Sequence, residues 1–252
     1  HDIQSIGMLS KRLAANAHGS RDFDEWCLRQ LPELPLSSRI LDLGCGTGKQ
    51  VHLFSPLFPA STSFYGMDLS SESLQVLRKQ YQAAPALHLI EGSFDGLGRF
   101  FERESASFDL IYSSYALYYS QDIPGVVRQA CRMLKRDGIF WVIAPYFGTN
   151  KEFLDILRPI HEVEPFMDYV FDRFHAEVIE QCRLAGFHSI KPSLLRNTIP
   201  FADAAAFMVY LRHSLFYRPG HDEQIAKTVQ EIVAREGLFR VSKNVISLQI
   251  RK

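Results

Sequence analysis

An apolar strand that runs straight into three glycines and then into a helix leaves a chain few options, and Ile40-Leu41-Asp42-Leu43-Gly44-Cys45-Gly46-Thr47-Gly48-Lys49 reads that way. Glycine tolerates positive φ and leaves main chain bare, so a ligand can lie against the turn while amides of the following helix's first turn face it. These residue types suit a nucleoside-containing ligand, and the spacing narrows the choice. A dinucleotide fingerprint needs G-x-G-x-x-G, but Gly48 follows Gly46 through Thr47 alone. A phosphate-cradling loop fails as well, because Leu43 occupies its first glycine position and Gln50 stands where Ser or Thr should follow the lysine. What remains is D-x-G-x-G-x-G, from Asp42 to Gly48.

Strands and helices alternate around this turn. Ile3, Ile6, Leu9 and Leu13 recur at helical spacing, as do Phe23, Trp26, Cys27 and Leu31, giving two amino-terminal helices before Pro32 and Pro35 lead into a strand from Arg39 to Leu43. The helix after the turn runs to about Phe54, where Pro56 and Pro59 end it. The next strand, Ser63 to Met67, delivers Asp68 at its carboxyl end, about 20 residues past the glycines, where an α/β nucleotide fold binds ribose hydroxyls. Asp68 has a structural alternative as a helix cap, but Ser70 can do that work by itself. A helix from Glu72 to Tyr81, a strand from Leu87 to Glu91, a strand from Phe108, a helix from Pro124 through Val127 and Met133 to Lys135, and a strand from Ile139 to Ala144 after an Asp137-Gly138 turn complete five units. Such alternation predicts an α/β fold with a doubly wound, mainly parallel sheet.

The glycine pattern, Asp68 and the stretch Phe108-Asp109-Leu110-Ile111-Tyr112-Ser113-Ser114-Tyr115-Ala116-Leu117-Tyr118-Tyr119 agree in order and spacing. Together they resemble the class I S-adenosylmethionine-dependent methyltransferases, over about Arg39 to Pro145. The resemblance implies a Rossmann-like sheet of seven strands, the later ones at Ser189 to Leu194 and Val245 to Ile250, with the last inserted antiparallel. It also implies S-adenosyl-L-methionine as cofactor and S-adenosyl-L-homocysteine as product. Asp42, Gly44, Cys45, Gly46 and Gly48 would form the cofactor turn, Asp68 would hold the ribose, and Leu69 would pack on adenine. Where the family often has Gly-Asp-Ala, this chain has Gly92-Ser93-Phe94, with Asp95 one residue late, so adenine recognition falls to the Ser93 hydroxyl, Phe94 and the backbone. Ser113 and Ser114 would offer a carbonyl to the methionine amino group. Tyr115, Tyr118 and Tyr119 would wall the reactive methyl, although clustered tyrosines also serve as packing.

Two insertions enlarge this plan. The stretch from Tyr146 to about Leu184 reads as a short helix from Asn150 and a longer one holding Met167, Val170, Phe171, Phe174, Val178 and Ile179; Ile199 to Leu238 carries two more amphipathic stretches, including Phe207, Met208, Leu211 and Phe216. The predicted organisation is 1–38 as amino-terminal helices, 39–145 as the cofactor core, 146–186 as a helical cap, and 187–252 as the last strands with a second insertion at 199–238, all one structural domain. The aromatic content of the caps suits a small apolar or aromatic acceptor, methylated on oxygen, nitrogen or a carboxylate. Tyr118, Tyr146, His161 and His213 are the candidates for contact with the reacting atoms, and Arg158 or Arg212 could orient an anion. A carboxylate acceptor needs no base.

Lys+Arg and Asp+Glu each number 28 and no basic run occurs, so nucleic acid and anionic membranes are not expected partners. Cys27, Cys45, Cys131 and Cys182 form no C-x-x-C pair, which argues for reduced thiols in the cytoplasm and against structural zinc, and no metal is expected. No apolar run reaches membrane-span length. The first residue is His1 rather than Met, so native sequence is expected ahead of it. A monomer or homodimer is expected. The alternatives are a protein or RNA methyltransferase, a non-catalytic cofactor-binding protein and a nicotinamide-dependent oxidoreductase, the last disfavoured by the early third glycine.

Overall fold

A computed structural model of the chain describes residues 20–252, so the first predicted helix, with Ile3, Ile6, Leu9 and Leu13, lies outside the described residues. The elements run α1 (Phe23–Gln30), β1 (Arg39–Leu43), α2 (Lys49–Phe54), β2 (Ser63–Asp68), α3 (Ser71–Gln80), β3 (Ala86–Glu91), α4 (Leu97–Phe100), β4 (Phe108–Ser114), α5 (Ile123–Met133) and β5 (Leu134–Pro145). They continue with α6 (Lys151–Leu157), α7 (Pro165–Asp172), α8 (Phe174–Leu184), β6 (Ser189–Leu195), β7 (Thr198–Phe201), α9 (Ala204–Arg212), α10 (Asp222–Glu236), β8 (Phe239–Ser242) and β9 (Val245–Arg251). The described residues divide into a larger unit of Asp24–Ala144, Arg173–Leu194 and Ile246–Lys252, and a smaller one of 20–23, Pro145–Asp172 and Leu195–Val245.

The larger unit is built on a seven-stranded sheet in the order β3-β2-β1-β4-β5-β9-β6. Strands β1 to β5 pair in parallel. The central pair β1 and β4 is buried almost along its length, as strands covered on both faces must be, and this is why both read as apolar runs. The last strand enters antiparallel: Lys252 N donates to Gly138 O at 3.0 Å, while Ser247, earlier in β9, meets Trp141, later in β5. Trp141 Nε1 donates to Ser247 Oγ at 2.7 Å, and its indole stacks on Phe54 at 5.6 Å. One boundary differs from the sequence reading. The Asp137-Gly138 turn lies inside β5, because pairing with β4 begins at Phe108↔Leu134 and resumes at Leu110↔Ile139, and Asp137 takes φ 66° to loop out the surplus residues.

Local chemistry starts the helices where expected. Ser70 Oγ accepts from Ser73 N at 3.1 Å and caps α3, and Asp122 Oδ1 accepts from Gly125 N at 2.9 Å at the head of α5, with Pro124 in the first turn. The long helix predicted from Met167 to Ile179 is instead two, because Arg173, at φ −120°, leaves helical geometry between α7 and α8. Helix α8 groups with the sheet: its Phe174 ring meets Tyr118 edge-on at 5.7 Å, and Cys131 Sγ on α5 donates to Ala185 O at 3.2 Å.

At the amino end of β1, the Arg39 guanidinium lies 5.0 Å from the Tyr65 ring centre and 4.6 Å from that of Phe108, and pairs with Glu104 at 2.8 Å. Arg39 holds the Glu104 carboxyl down to about 2 from an ordinary 4.5. A carboxylate with a depressed folded pKa contributes fully above its unfolded value, so this pair's contribution is complete above about pH 4.5 and fades as pH falls towards 2. Both side chains are partly exposed, which limits the pair through solvent screening; Arg39→Ala is expected to cost about 1–2 kcal/mol at pH 7, read from the urea midpoint.

In the smaller unit, β7 and β8 pair antiparallel, Ile199 opposite Val241 and Phe201 opposite Phe239. This pair was not expected, because β7 is four residues long and contains Pro200, and proline argues against a strand unless an outer edge accepts it. Phe207 packs edge-on to Phe239 at 4.9 Å and to Phe201 at 5.4 Å. The Glu152 carboxylate on α6 accepts from Ser242 N at 2.8 Å and Ser242 Oγ at 2.6 Å. Asn197 Oδ1 accepts from Ser20 Oγ and Arg21 N, both at 2.9 Å, and fastens residues 20–21 to this unit.

Candidate active site

The glycine turn sits where β1 and β4 part, at the carboxyl ends of adjacent strands whose connections diverge, the position at which open α/β sheets bind ligands. Gly44, Gly46 and Gly48 all take positive φ, at 80°, 52° and 84°. Their surroundings differ. A Cβ on Gly44 would stand 2.2 Å from Ala116 Cβ, and one on Gly48 would stand 2.2 Å from Leu77 Cδ1, whereas one on Gly46 would meet nothing within 4 Å. Gly44 and Gly48 are therefore required by packing, and Gly46 faces open space.

Hydrogen bonds set the turn in place. Gly44 N and Cys45 N both donate to Met67 O, at 2.8 and 3.0 Å, and Gly48 N donates to Cys45 O at 2.8 Å. Asp68 accepts from Gly46 N at 2.7 Å through Oδ2 and from Ser70 N at 2.9 Å through Oδ1. Each carboxylate oxygen retains a further acceptor site, so Asp68 can brace the turn and still take a hydroxyl proton. The Cys45 side chain is buried in a cluster with Val51, Leu74 and Leu77, so this residue offers its backbone to a ligand and not its thiol. Leu69, next to Asp68, is 61% exposed, an unusual state for leucine and a ready apolar surface at the strand end.

The end of β3 is already committed to local structure. Ser93 Oγ accepts from Asp95 N at 3.1 Å and caps a short turn, and Phe94 lies within 3.6 Å of the Cβ position on Gly44. Asp95, which the family pattern left one residue late, accepts from Ser120 Oγ and, at 3.1 Å, from Gln121 N, joining the β3 end to the loop after β4. With Ser93, Gly96, Arg99 and Phe100 it lines a cavity of about 450 Å³. Sequence reading missed Gly96, Arg99 and Phe100; the Asp-Gly step after Phe94 was the available signal.

At the end of β4, Ser113 Oγ donates to Leu43 O at 2.8 Å, fastening the two strand ends together. The Ser114 hydroxyl is buried without a partner among the described residues. Tyr115 adopts φ 57° and is 40% exposed, a conformation that costs a non-glycine residue about 1–3 kcal/mol and often marks a functional turn. Tyr118 is buried, 4.6 Å from the Tyr119 ring and edge-on to Phe174.

Of the four candidate catalytic residues, Tyr118 belongs to the larger unit and Tyr146, His161 and His213 to the smaller. Tyr146 opens the turn before α6, donating N–H to Asn244 O at 3.0 Å. His213 caps α9 with Nδ1 2.7 Å from Val209 O, and His161 Nδ1 lies 3.1 Å from Glu162 O. A carbonyl partner requires a donor, so Nδ1 carries the proton in each ring and Nε2 is the lone-pair nitrogen of the neutral form. Arg158 pairs with Asp168 and Arg212 with Asp222, so neither suggested anion clamp presents an unbalanced charge.

Residues 41–142, which contain the glycine turn, Asp68 and the β4 end, match the family described as a methyltransferase domain. Residues 41–142 thus form a methyltransferase domain. The trans-aconitate 2-methyltransferase of Deinococcus radiodurans is 31% identical over 46% of this chain, and the match spans 40% of that protein's length. The malonyl-[acyl-carrier protein] O-methyltransferase of Legionella pneumophila is 26% identical over 79% of this chain and 72% of its own length. The crystal structure of the YcgJ protein from Bacillus subtilis superposes with a TM-score of 0.62, at 19% identity, over 91% of this chain and 97% of that one, and shares the fold. The methyltransferase domain thus accounts for the turn, and the two curated relatives differ in how much of their length this chain represents. Among the described residues no helix is long and apolar enough to cross a membrane, and no cluster of side chains could hold a metal ion.

Proposed function

We propose that this protein transfers a methyl group from S-adenosyl-L-methionine to oxygen, nitrogen or a carboxylate of a small apolar or aromatic molecule. The observation that carries the reading is Gly46, the one glycine of the turn that packing does not require, held open by the Asp68 carboxylate on its amide. Asp68 would take ribose hydroxyl protons, Leu69 and Phe94 would cover the base, and the β4 end at Ser113, Ser114 and Tyr115 would receive the amino-acid portion. The bound cofactor supplies a methyl on a sulfonium, an excellent leaving group, so the protein's work is to bind, align and exclude water. One relative is named for trans-aconitate and another for malonyl-[acyl-carrier protein], which keeps a carboxylate among the acceptors. A carboxylate arrives deprotonated and needs no base; a hydroxyl or amine acceptor would need one. Four cysteines that form no disulfide suit a reducing cytoplasm.

Titration calorimetry with S-adenosyl-L-homocysteine and with NAD tests the cofactor. Micromolar binding of the first and none of the second is expected, and the reverse would return the chain to the oxidoreductases. A screen of small organic acids, phenols and amines with labelled methyl donor then identifies the acceptor.

A further inference from the structure

Asp42 lies under the glycine turn, in the middle of the sheet. It is 2% exposed, with Gly66 on one side in the β1 register and Tyr112 on the other. Among the described residues neither Asp42 Oδ1 nor the Tyr112 hydroxyl makes a hydrogen bond of normal geometry, although the hydroxyl is near enough to act on the carboxyl. The groups that act on it are the Tyr112 hydroxyl from β4 and the Asp68 carboxylate from β2, with the Cys45 thiol close to both carboxylates. Tyr81, at the end of α3, lies beyond Tyr112, and the His52 ring of α2 is 6.3 Å from Tyr81. The Lys49 amine on α2 is engaged with Asp24 at 2.7 Å. None of the groups acting on Asp42 is a cation. A buried carboxylate survives when a cation or several N–H donors compensate it, and here a second carboxylate stands nearby instead.

We propose that Asp42 is an uncharged carboxylic acid at neutral pH, a positioning residue in the strand that leads into the cofactor turn, which leaves the charge at this strand end to Asp68. Burial, reinforced by Asp68 and opposed by the Tyr112 hydroxyl, pushes its pKa up to about 8 from 3.8. The positioning role rests on the cofactor reading given above, whereas the proton itself does not. For an acid whose folded pKa is raised, the native state holds a proton that the unfolded chain has lost. Its effect on stability is therefore nil below about pH 4 and increasingly unfavourable up to about pH 8.

Carboxyl-carbon NMR of the uniformly labelled wild-type protein without cofactor reads this proton directly: Asp42 is expected to titrate near 8, and titration near 4 would overturn the proposal. Thermal unfolding of wild type and Asp42→Asn from pH 5 to pH 9 adds a second measurement, since the amide matches the neutral acid in size. The variant is expected to lose the decline of Tm with pH and to be the more stable protein at pH 8; parallel profiles would overturn the idea. The same NMR titration of wild type with S-adenosyl-L-homocysteine added should find Asp42 still protonated at pH 7, whereas ionisation on binding would mean that the charge is needed. If the ligand does not bind, the cofactor reading fails, and the cofactor-free NMR and stability profiles still decide the state of Asp42.

Discussion

Gly46→Val is expected to give a folded protein that binds S-adenosyl-L-homocysteine at least about 100-fold more weakly, a loss of about 2.7 kcal/mol. The new Cβ meets nothing within 4 Å, so the fold bears only the cost of a β-branched residue at φ 52°, roughly 1–3 kcal/mol. The two methyls then occupy the space the ligand needs. Gly44→Val and Gly48→Val are the contrasting cases: each places a carbon 2.2 Å from a packed side chain, Ala116 or Leu77, and both are expected to lose about 3 kcal/mol or more and to fail in expression or melt early. Thermal unfolding beside calorimetry separates the outcomes. Normal affinity in a folded Gly46→Val protein would place the ligand elsewhere.

Asp68→Ala should lose both binding and stability. The carboxylate receives two backbone N–H groups, from Gly46 at 2.7 Å and Ser70 at 2.9 Å, and hydrogen bonds to a charged group contribute about 1.5–3 kcal/mol each. Its removal lets the turn relax and deletes the acceptor proposed for the ribose, so affinity is expected to fall about 10- to 100-fold and Tm by several degrees. Ser70→Ala is the control for the capping alternative. It removes the cap of α3 at a cost of about 1 kcal/mol, and calorimetry should find its affinity unchanged. Equal loss of affinity in the two variants would assign Asp68 to the helix rather than the ligand.

The central sheet was readable because its strands are short apolar runs punctuated by glycine, proline and capping residues, signals that act within a few positions. The place of Asp68 at the end of β2 was readable for the same reason, a fixed distance past the turn. The β7–β8 pair was not, since four residues with an internal proline carry no period to detect. The division of Phe174 from Met167 escaped because apolar residues on both sides of Arg173 keep a helical spacing that the backbone does not follow. At the site, residue types gave no warning that Cys45 turns its thiol inwards or that Ser93 spends its oxygen on Asp95 N, since both outcomes depend on neighbours distant in sequence or on backbone direction. Nor could spacing reveal Arg99 and Phe100 beside Asp95.

The place of β9 has a consequence for how the protein is made. Strand β6 has β9 as its sheet neighbour, and the Trp141–Ser247 bond closes across 106 residues. A chain emerging from the ribosome can assemble β1 to β5 early, but the edge of β5 stays open and β6 waits without a partner until β9 (Val245–Arg251) emerges. Nascent chains stalled before residue 245 should therefore engage chaperones and proteases far more than chains stalled with 252 free of the tunnel. Closure of the core therefore waits on β9, long after the strands that hold the glycine turn have been made.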